Sequence, residues 1–353
     1  MLYWLHELFN INILGYITIR AGIAFFFALF ITLYLLPKFI RWAQRTSSVQ
    51  PINNWAPERH KEKASTPTMG GIVFIAATII ASLFTLKLTN AYAIGGLLTL
   101  ALFSLIGFQD DFAKIKKSEN LAGLKARTKL FLQISSALLI ALFLCFFADF
   151  NTDLYVPFLK TPLFDMGAFA IILWVLVMIS SSNAVNLTDG LDGLATVPSI
   201  VALTSFSIII YITGNAKISA YLLMPNYDVG EVAIIASALM GALTGFLWHN
   251  CHPAEVFMGD SGSLTLGAFL GYLAIISKSE ILLLLIGSIF VIETLSVILQ
   301  VGSYKIRKKR VFLMAPIHHH FEMKNWAENK IIVRFWIIAI LSNILALISL
   351  KIR

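Results

Sequence analysis

The sequence predicts an all-α polytopic membrane protein, a single integral-membrane domain over residues 1–353 with ten transmembrane helices. Three observations carry this. The chain is 58% hydrophobic and only 13% charged, outside the make-up of soluble domains. It offers ten apolar stretches near the length that a hydrocarbon core of about 30 Å requires, and none alternates in polarity as the shorter strands of a membrane barrel do. Finally, most of its 27 Lys and Arg gather in three of the connecting loops.

The stretches run from Tyr16 to Phe39, Gly70 to Leu86, Tyr92 to Phe108, Leu130 to Ala148, Gly167 to Ala184, Ala195 to Thr213, Val229 to Trp248, Ser263 to Ser277, Ile281 to Gly302 and Ile331 to Leu350. An even number puts both termini on one side. The first fifteen residues lack the basic start of a cleaved signal peptide, so the first stretch is expected to be a retained helix. Between the fourth and fifth, the Asp149 to Met166 segment sets Asn151-Thr152-Asp153 and Pro157 among short apolar runs, which suggests a small hairpin.

Orientation follows from the basic residues. Twenty of the 27 lie in the loops after the first, third and ninth stretches, including Lys63, Lys114, Lys125, Lys129 and the run from Arg307 to Arg310. The other side holds Arg20, Lys87, Lys160, Lys217, Lys278, Lys351 and Arg353. Basic loops stay in the cytoplasm, so both termini are expected to face outward. The net charge of +8 then reports orientation and attraction to anionic membrane lipids, and no nucleic-acid partner is expected. Cys145 and Cys251 form no metal or redox pattern, and inert packing is the reading they support.

The loops after the fifth and seventh stretches break the basic rule: they carry no Lys or Arg, only acids. One reads Asn183-Ala-Val-Asn186-Leu-Thr-Asp189-Gly-Leu-Asp192-Gly193. The other reads His249-Asn250-Cys-His-Pro-Ala-Glu255-Val-Phe257-Met-Gly-Asp260-Ser261-Gly-Ser263. With Asp110 and Asp111 at the end of the third stretch, five aspartates meet the inner rim of the bilayer on three stretches that run the same way. Each alone reads as a loop charge or helix cap. Together they repel unless a cation, water or basic neighbours compensate. Mg²⁺ suits such a place, because it takes a few carboxylate oxygens and completes its shell with water and substrate phosphates. A phosphate-bearing substrate is the inference.

Further residues fit that chemistry. Gly259 to Ser263 leads into the eighth stretch, where backbone amides at a helix start can cradle an anion, although Gly and Ser also cap helices routinely. Lys63 and Thr68 lie in the first inner loop, within reach of a pyrophosphate. In Pro316-Ile-His318-His319-His320-Phe-Glu322, three consecutive histidines cannot share one helix face; one or two are expected to donate hydrogen bonds to a phosphate or a nucleobase, not to ligate one metal jointly. Glu293 lies inside the ninth stretch, where an ionisable side chain is expensive. It is expected either to bend that helix and open a groove for a lipid tail or to make a structural hydrogen bond to a neighbouring helix.

Asp110-Asp111, Asn183 to Ala195, Phe257 to Ser263 and Ala315 to Glu322 closely resemble the polyprenyl-phosphate N-acetylhexosamine 1-phosphate transferases, and the likeness covers essentially the whole chain. Lys63 to Gly71 and the histidine segment resemble its muramoyl-pentapeptide branch. The resemblance implies ten helices in a bacterial inner membrane, periplasmic termini, an active site at the cytoplasmic face, and a homodimer. It implies transfer of phospho-MurNAc-pentapeptide from UDP-MurNAc-pentapeptide to undecaprenyl phosphate, giving lipid I and UMP with Mg²⁺. By matching positions it makes Asp260 the Mg²⁺ ligand and Asp110 and Asp111 the catalytic pair, with all three expected to hold the metal and Asp260 and His318 expected to be catalytic as well. Lys63, Thr68, Lys114, Lys125, Asn183, Asn186, Asp189, Asp192, Asn250, Phe257, Ser261, His319 and His320 fall on substrate-binding positions. Direct attack is favoured over a covalent aspartyl intermediate, because the acceptor phosphate is already a nucleophile. The rivals are a relative that moves GlcNAc-1-phosphate and, in another class, a transporter or lipid flippase, whose ionisable groups sit near the midplane.

Overall fold

The computed structural model describes residues 1–45, 66–117 and 123–352, and nearly all of its regular structure is helical. The helices are α1 (Leu2–Phe9), α2 (Ile17–Arg45), α3 (Gly71–Thr85), α4 (Ala91–Lys117), α5 (Ala126–Phe147), α6 (Phe169–Thr188) and α7 (Thr196–Thr213). They continue with α8 (Ala216–Leu222), α9 (Val232–Asn250), α10 (Asp260–Ile276), α11 (Leu283–Ile286), α12 (Ser288–Arg307), α13 (Ile317–Met323) and α14 (Glu328–Ser349). Short elements fill the connections where the sequence supplies local signals. Asn215, for example, caps α8 by accepting from the amides of Lys217 and Ile218, as a short polar side chain does at a helix start. The expected hairpin is present as β1 (Asp153–Leu154) and β2 (Phe164–Asp165), antiparallel, with Asp153 opposite Asp165.

Among the described residues, eight helices are long and apolar enough to cross a membrane: α2, α4, α5, α6, α7, α9, α12 and α14. The second and eighth expected spans are shorter, α3 with 15 residues and α10 with 17. At 1.5 Å per residue they reach only about 22 and 26 Å, less than the roughly 30 Å of hydrocarbon. Burial accounts for α10. Every residue from Ser261 to Ile276 is buried, against α3, α4, α6 and α7, so its ends meet protein. A helix that is apolar all round belongs in such a core.

The ninth expected span also differs. It breaks at Gly287 into α11 and α12, and α12 continues unbroken through Glu293. Among the described residues the interruption of this span falls at Gly287, six residues before Glu293. At the opposite end of the bundle from the aspartates, Arg20 is more than an outer charge. Its guanidinium takes both carboxylate oxygens of Glu231 at 2.7 and 2.6 Å and the Thr85 carbonyl at 3.2 Å. This two-pronged pairing clamps the starts of α2 and α9 to the end of α3.

Candidate active site

The aspartates meet because α4 and α10 approach without a side chain between them. A Cβ at Gly107 would lie 2.3 Å from the carbonyl oxygen of Asp260, so only glycine permits the crossing. Asp110 and Asp111, one turn further along α4, then face the first turn of α10. Gly259 precedes that turn with φ of +74°, a left-handed conformation that favours glycine.

The start of α10 leaves backbone N–H groups without helical partners. Asp111 takes two of them: the Asp260 amide donates to its Oδ1 at 3.1 Å and the Ser261 amide to its Oδ2 at 2.9 Å. The amides expected to cradle a substrate phosphate thus hold the protein's own carboxylate. Ser261, expected to bind substrate, has a fully buried side chain.

Asp260 is the hub. Its Oδ2 accepts from Lys129 Nζ at 2.5 Å and Lys114 Nζ at 3.0 Å, and its Oδ1 accepts from Asn186 Nδ2 at 2.7 Å. Asn186 also donates to Ser263 Oγ at 2.8 Å. Lys114 reaches Asp110 Oδ2 at 2.5 Å, and the Leu124 amide donates to Asp110 Oδ1 at 2.8 Å. One oxygen from each of Asp110, Asp111 and Asp260 lies within 4.8 Å of the others. Two ammonium groups against three carboxylates leave one negative charge and a set of hard oxygen donors, which fits a small divalent cation such as Mg²⁺.

Lys129 was not among the expected binding residues, and Lys125 was. The structure places Lys125 exposed at the N-cap of α5, with Lys129 one turn inside the helix and in the cluster. The four-residue spacing between the two lysines was the available signal.

Residues 67–71 pair through their backbone with the approach to α10. The Phe257 amide donates to the Pro67 carbonyl at 2.8 Å, and the amides of Gly70 and Gly71 donate to the carbonyls of Phe257 and Met258 at 2.9 Å each. This pairing sets Thr68 beside Gly259 and the half-buried Phe257 beside Gly70. Lys63 lies outside the described residues.

Asp189 ends α6. Burial, and then the negative Asp260, Asp111 and Asp192, push its carboxyl up to about 8. A raised value favours the protonated acid in the folded protein, and its stabilising effect is lost as pH climbs toward 8. A cation on Asp260 and Asp111 opposes that shift, so metal uptake is expected to release a proton, and Mg²⁺ affinity to strengthen between about pH 6 and pH 8. Calorimetric Mg²⁺ titrations across that range check this; an affinity indifferent to pH contradicts it.

Other expected residues stand back from the carboxylates. Asn183 donates to Gln133 Oε1 at 3.0 Å, bracing α6 on α5. Asn250 uses both ends of its amide internally, accepting from Thr196 Oγ1 at 2.8 Å and donating to the Val256 carbonyl at 2.9 Å, so it shapes the loop before Asp260. Asp192 meets His252 Nδ1 at 3.0 Å and the Ala254 amide at 3.1 Å. With Glu328 these form a second group of potential ligand atoms within 4.8 Å, a mixed nitrogen and oxygen set less suited to Mg²⁺. The histidines diverge, as their spacing requires: His318 Nδ1 meets Glu293 at 3.1 Å, His319 Nδ1 meets Glu322 at 2.6 Å, and His320 Nδ1 accepts from the Leu313 amide at 3.1 Å.

Comparison with known proteins agrees over the same residues. The model of glycosyl transferase family 4 matches residues 93–278, and phospho-N-acetylmuramoyl-pentapeptide-transferase signature 1 matches residues 63–75. Similar curated proteins, each described as phospho-N-acetylmuramoyl-pentapeptide-transferase, come from Sulfurimonas denitrificans at 79% identity, Nitratiruptor sp. at 66% and Campylobacter jejuni at 60%. Each alignment covers 100% of both chains.

Proposed function

The chain belongs to glycosyl transferase family 4 and, within it, to the phospho-N-acetylmuramoyl-pentapeptide transferases, and from that membership we propose how its side chains divide the work. The reaction moves phospho-MurNAc-pentapeptide from UDP-MurNAc-pentapeptide to undecaprenyl phosphate in peptidoglycan synthesis, giving lipid I and UMP. One observation carries the assignment of the site. Three aspartates from separate turns of the chain converge with two lysines at one end of the bundle.

One substrate is a soluble anion and the other keeps its tail in the bilayer, so the phosphates must meet at a membrane rim. Positive-inside charge makes this rim the cytoplasmic one, with ten membrane-embedded helices counting short α3 and α10, and both termini periplasmic. Family membership also supports a homodimer in the bacterial inner membrane.

Asp260, with Asp110 and Asp111, would hold Mg²⁺, which would supply neutralisation of the diphosphate charge that grows as UMP departs. Asp111 fixes the first turn of α10 and so sets where Asp260 points. Lys114 and Lys129 hold Asp260 and Asp110 together and release positive charge toward incoming phosphates. Asp110 Oδ2, met by the ammonium groups of Lys114 and Lys129, is the oxygen we assign to take a proton from the acceptor phosphate. An oxygen of that phosphate then attacks the sugar-bearing phosphorus, the bond to the UMP oxygen breaks, and UMP carries the electron pair away.

The test is UMP release by the purified protein in detergent across Mg²⁺ concentrations. Release from UDP-MurNAc-pentapeptide with undecaprenyl phosphate, and not from UDP-GlcNAc, is expected. Equal use of UDP-GlcNAc points to the GlcNAc-1-phosphate branch. No metal-dependent release from either donor removes the transferase reading in favour of a carrier.

A further inference from the structure

Glu293 has no role in the steps above, yet it is the acid buried deepest in the apolar bundle. Its side chain is 0% exposed and that of His318 is 1% exposed, with Nδ1 of the ring 3.1 Å from Glu293 Oε1. The approach lacks the alignment of a full hydrogen bond. At that distance the carboxyl still faces Nδ1, and polar attraction between neighbouring groups is strong in a low-dielectric interior. A carboxylate inside a membrane helix persists only with such a partner.

The opposite edge of the ring is just as constrained. His318 Nε2 has no protein hydrogen-bond partner among the described residues, and it lies 2.4 Å from where a Cβ on Gly190 would stand. Gly190 follows Asp189 in the turn that faces Asp260 and Asp111. The His319 ring lies tilted against the same ring, 4.1 Å between centroids, and its own Nδ1 is tied to Glu322. Glu293 on one edge, Gly190 on the other and His319 alongside leave the His318 ring one orientation.

We propose that Glu293 is a positioning residue: by holding Nδ1 of His318 it turns Nε2 toward the Asp189–Gly190 turn, where that nitrogen serves the phosphates of the substrates. The logic is that of a carboxylate fixing the face and tautomer of a working imidazole. The inference rests on the transferase reading of the site and extends it into α12.

Kinetics of E293Q, E293D, H318Q and the double variant H318Q/E293Q, with Mg²⁺ and both substrates, provide the test. E293Q is expected to lower kcat about 10- to 100-fold, the range for a residue that orients another, with KM for the nucleotide within about twofold. E293D should recover part of the loss. On the H318Q background, E293Q should cost less than about twofold more, because residues acting as one unit are not additive. A wild-type kcat in E293Q, or a full additional loss on H318Q, overturns the proposal. Should E293Q fail to fold, G190A is read instead. Its added methyl meets Nε2 and should lower kcat in wild type but not in H318Q; equal losses in both overturn the proposal. Wild-type protein without Mg²⁺-dependent UMP release overturns the transferase reading and this inference with it, whereas an active wild type with an unaffected E293Q overturns the inference alone.

Discussion

Asp260→Asn is expected to lower kcat on the order of 10³-fold while the protein folds and extracts normally. Asp260 is joined to more of the cluster than any other carboxylate, through Lys114, Lys129 and Asn186. Asparagine keeps its shape and its place at the start of α10, so the amide contacts to Asp111 survive. What disappears is one negative charge and one hard anionic donor. Two lysines then face two carboxylates, the residual negative charge that attracts a divalent cation is gone, and Mg²⁺ loses its placement. Steady-state kinetics across Mg²⁺ concentrations measure this. A variant with a near-normal rate at every concentration takes Asp260 out of the site.

Lys129→Met is expected to cost on the order of 10²-fold in kcat/KM, and Lys125→Met less than about twofold. Methionine retains the length and apolar stem of lysine but removes the ammonium 2.5 Å from Asp260 Oδ2 and 3.6 Å from Asp110 Oδ2. Lys114 alone must then hold two carboxylates that repel each other. Lys125 faces solvent before the first turn of α5, so its loss touches no carboxylate in the cluster. Measuring both variants side by side controls for the general effect of removing a basic residue. If Lys125→Met is the more damaging, the cluster is wired differently from the arrangement seen here.

The aspartates were legible in the sequence because they defy a strong local rule: acids in inner loops where lysine is expected. Membrane helices were legible from length and polarity alone, and the hairpin from its turn residues. Facts that depend on how helices touch were not. That Asp111 caps α10 follows from the close crossing at Gly107, and a glycine in an apolar run does not announce its neighbour. Lys129 and Lys125 differ only in helical phase, which is fixed by where α5 begins. Arg20 counts as an outer charge in any tally of loops, and only the fold reveals Glu231 opposite it. The short lengths of α3 and α10 were hidden because hydropathy cannot separate a helix packed in protein from one that faces lipid. Glu293 stood out at once as an expensive residue, but its partner lies in a later segment of the chain, so the sequence left a bend and a structural contact both open.

Locating a bound metal tests the central claim most directly. Mn²⁺, which shares the oxygen preference of Mg²⁺, can be introduced into the full-length protein and found by its anomalous scattering. A single peak in contact with Asp260 and bordered by Asp110 and Asp111 is expected, and it should vanish in Asp260→Asn. A peak at Asp192, His252 and Glu328 with none at Asp260 contradicts the assignment of the three aspartates as the transferase centre.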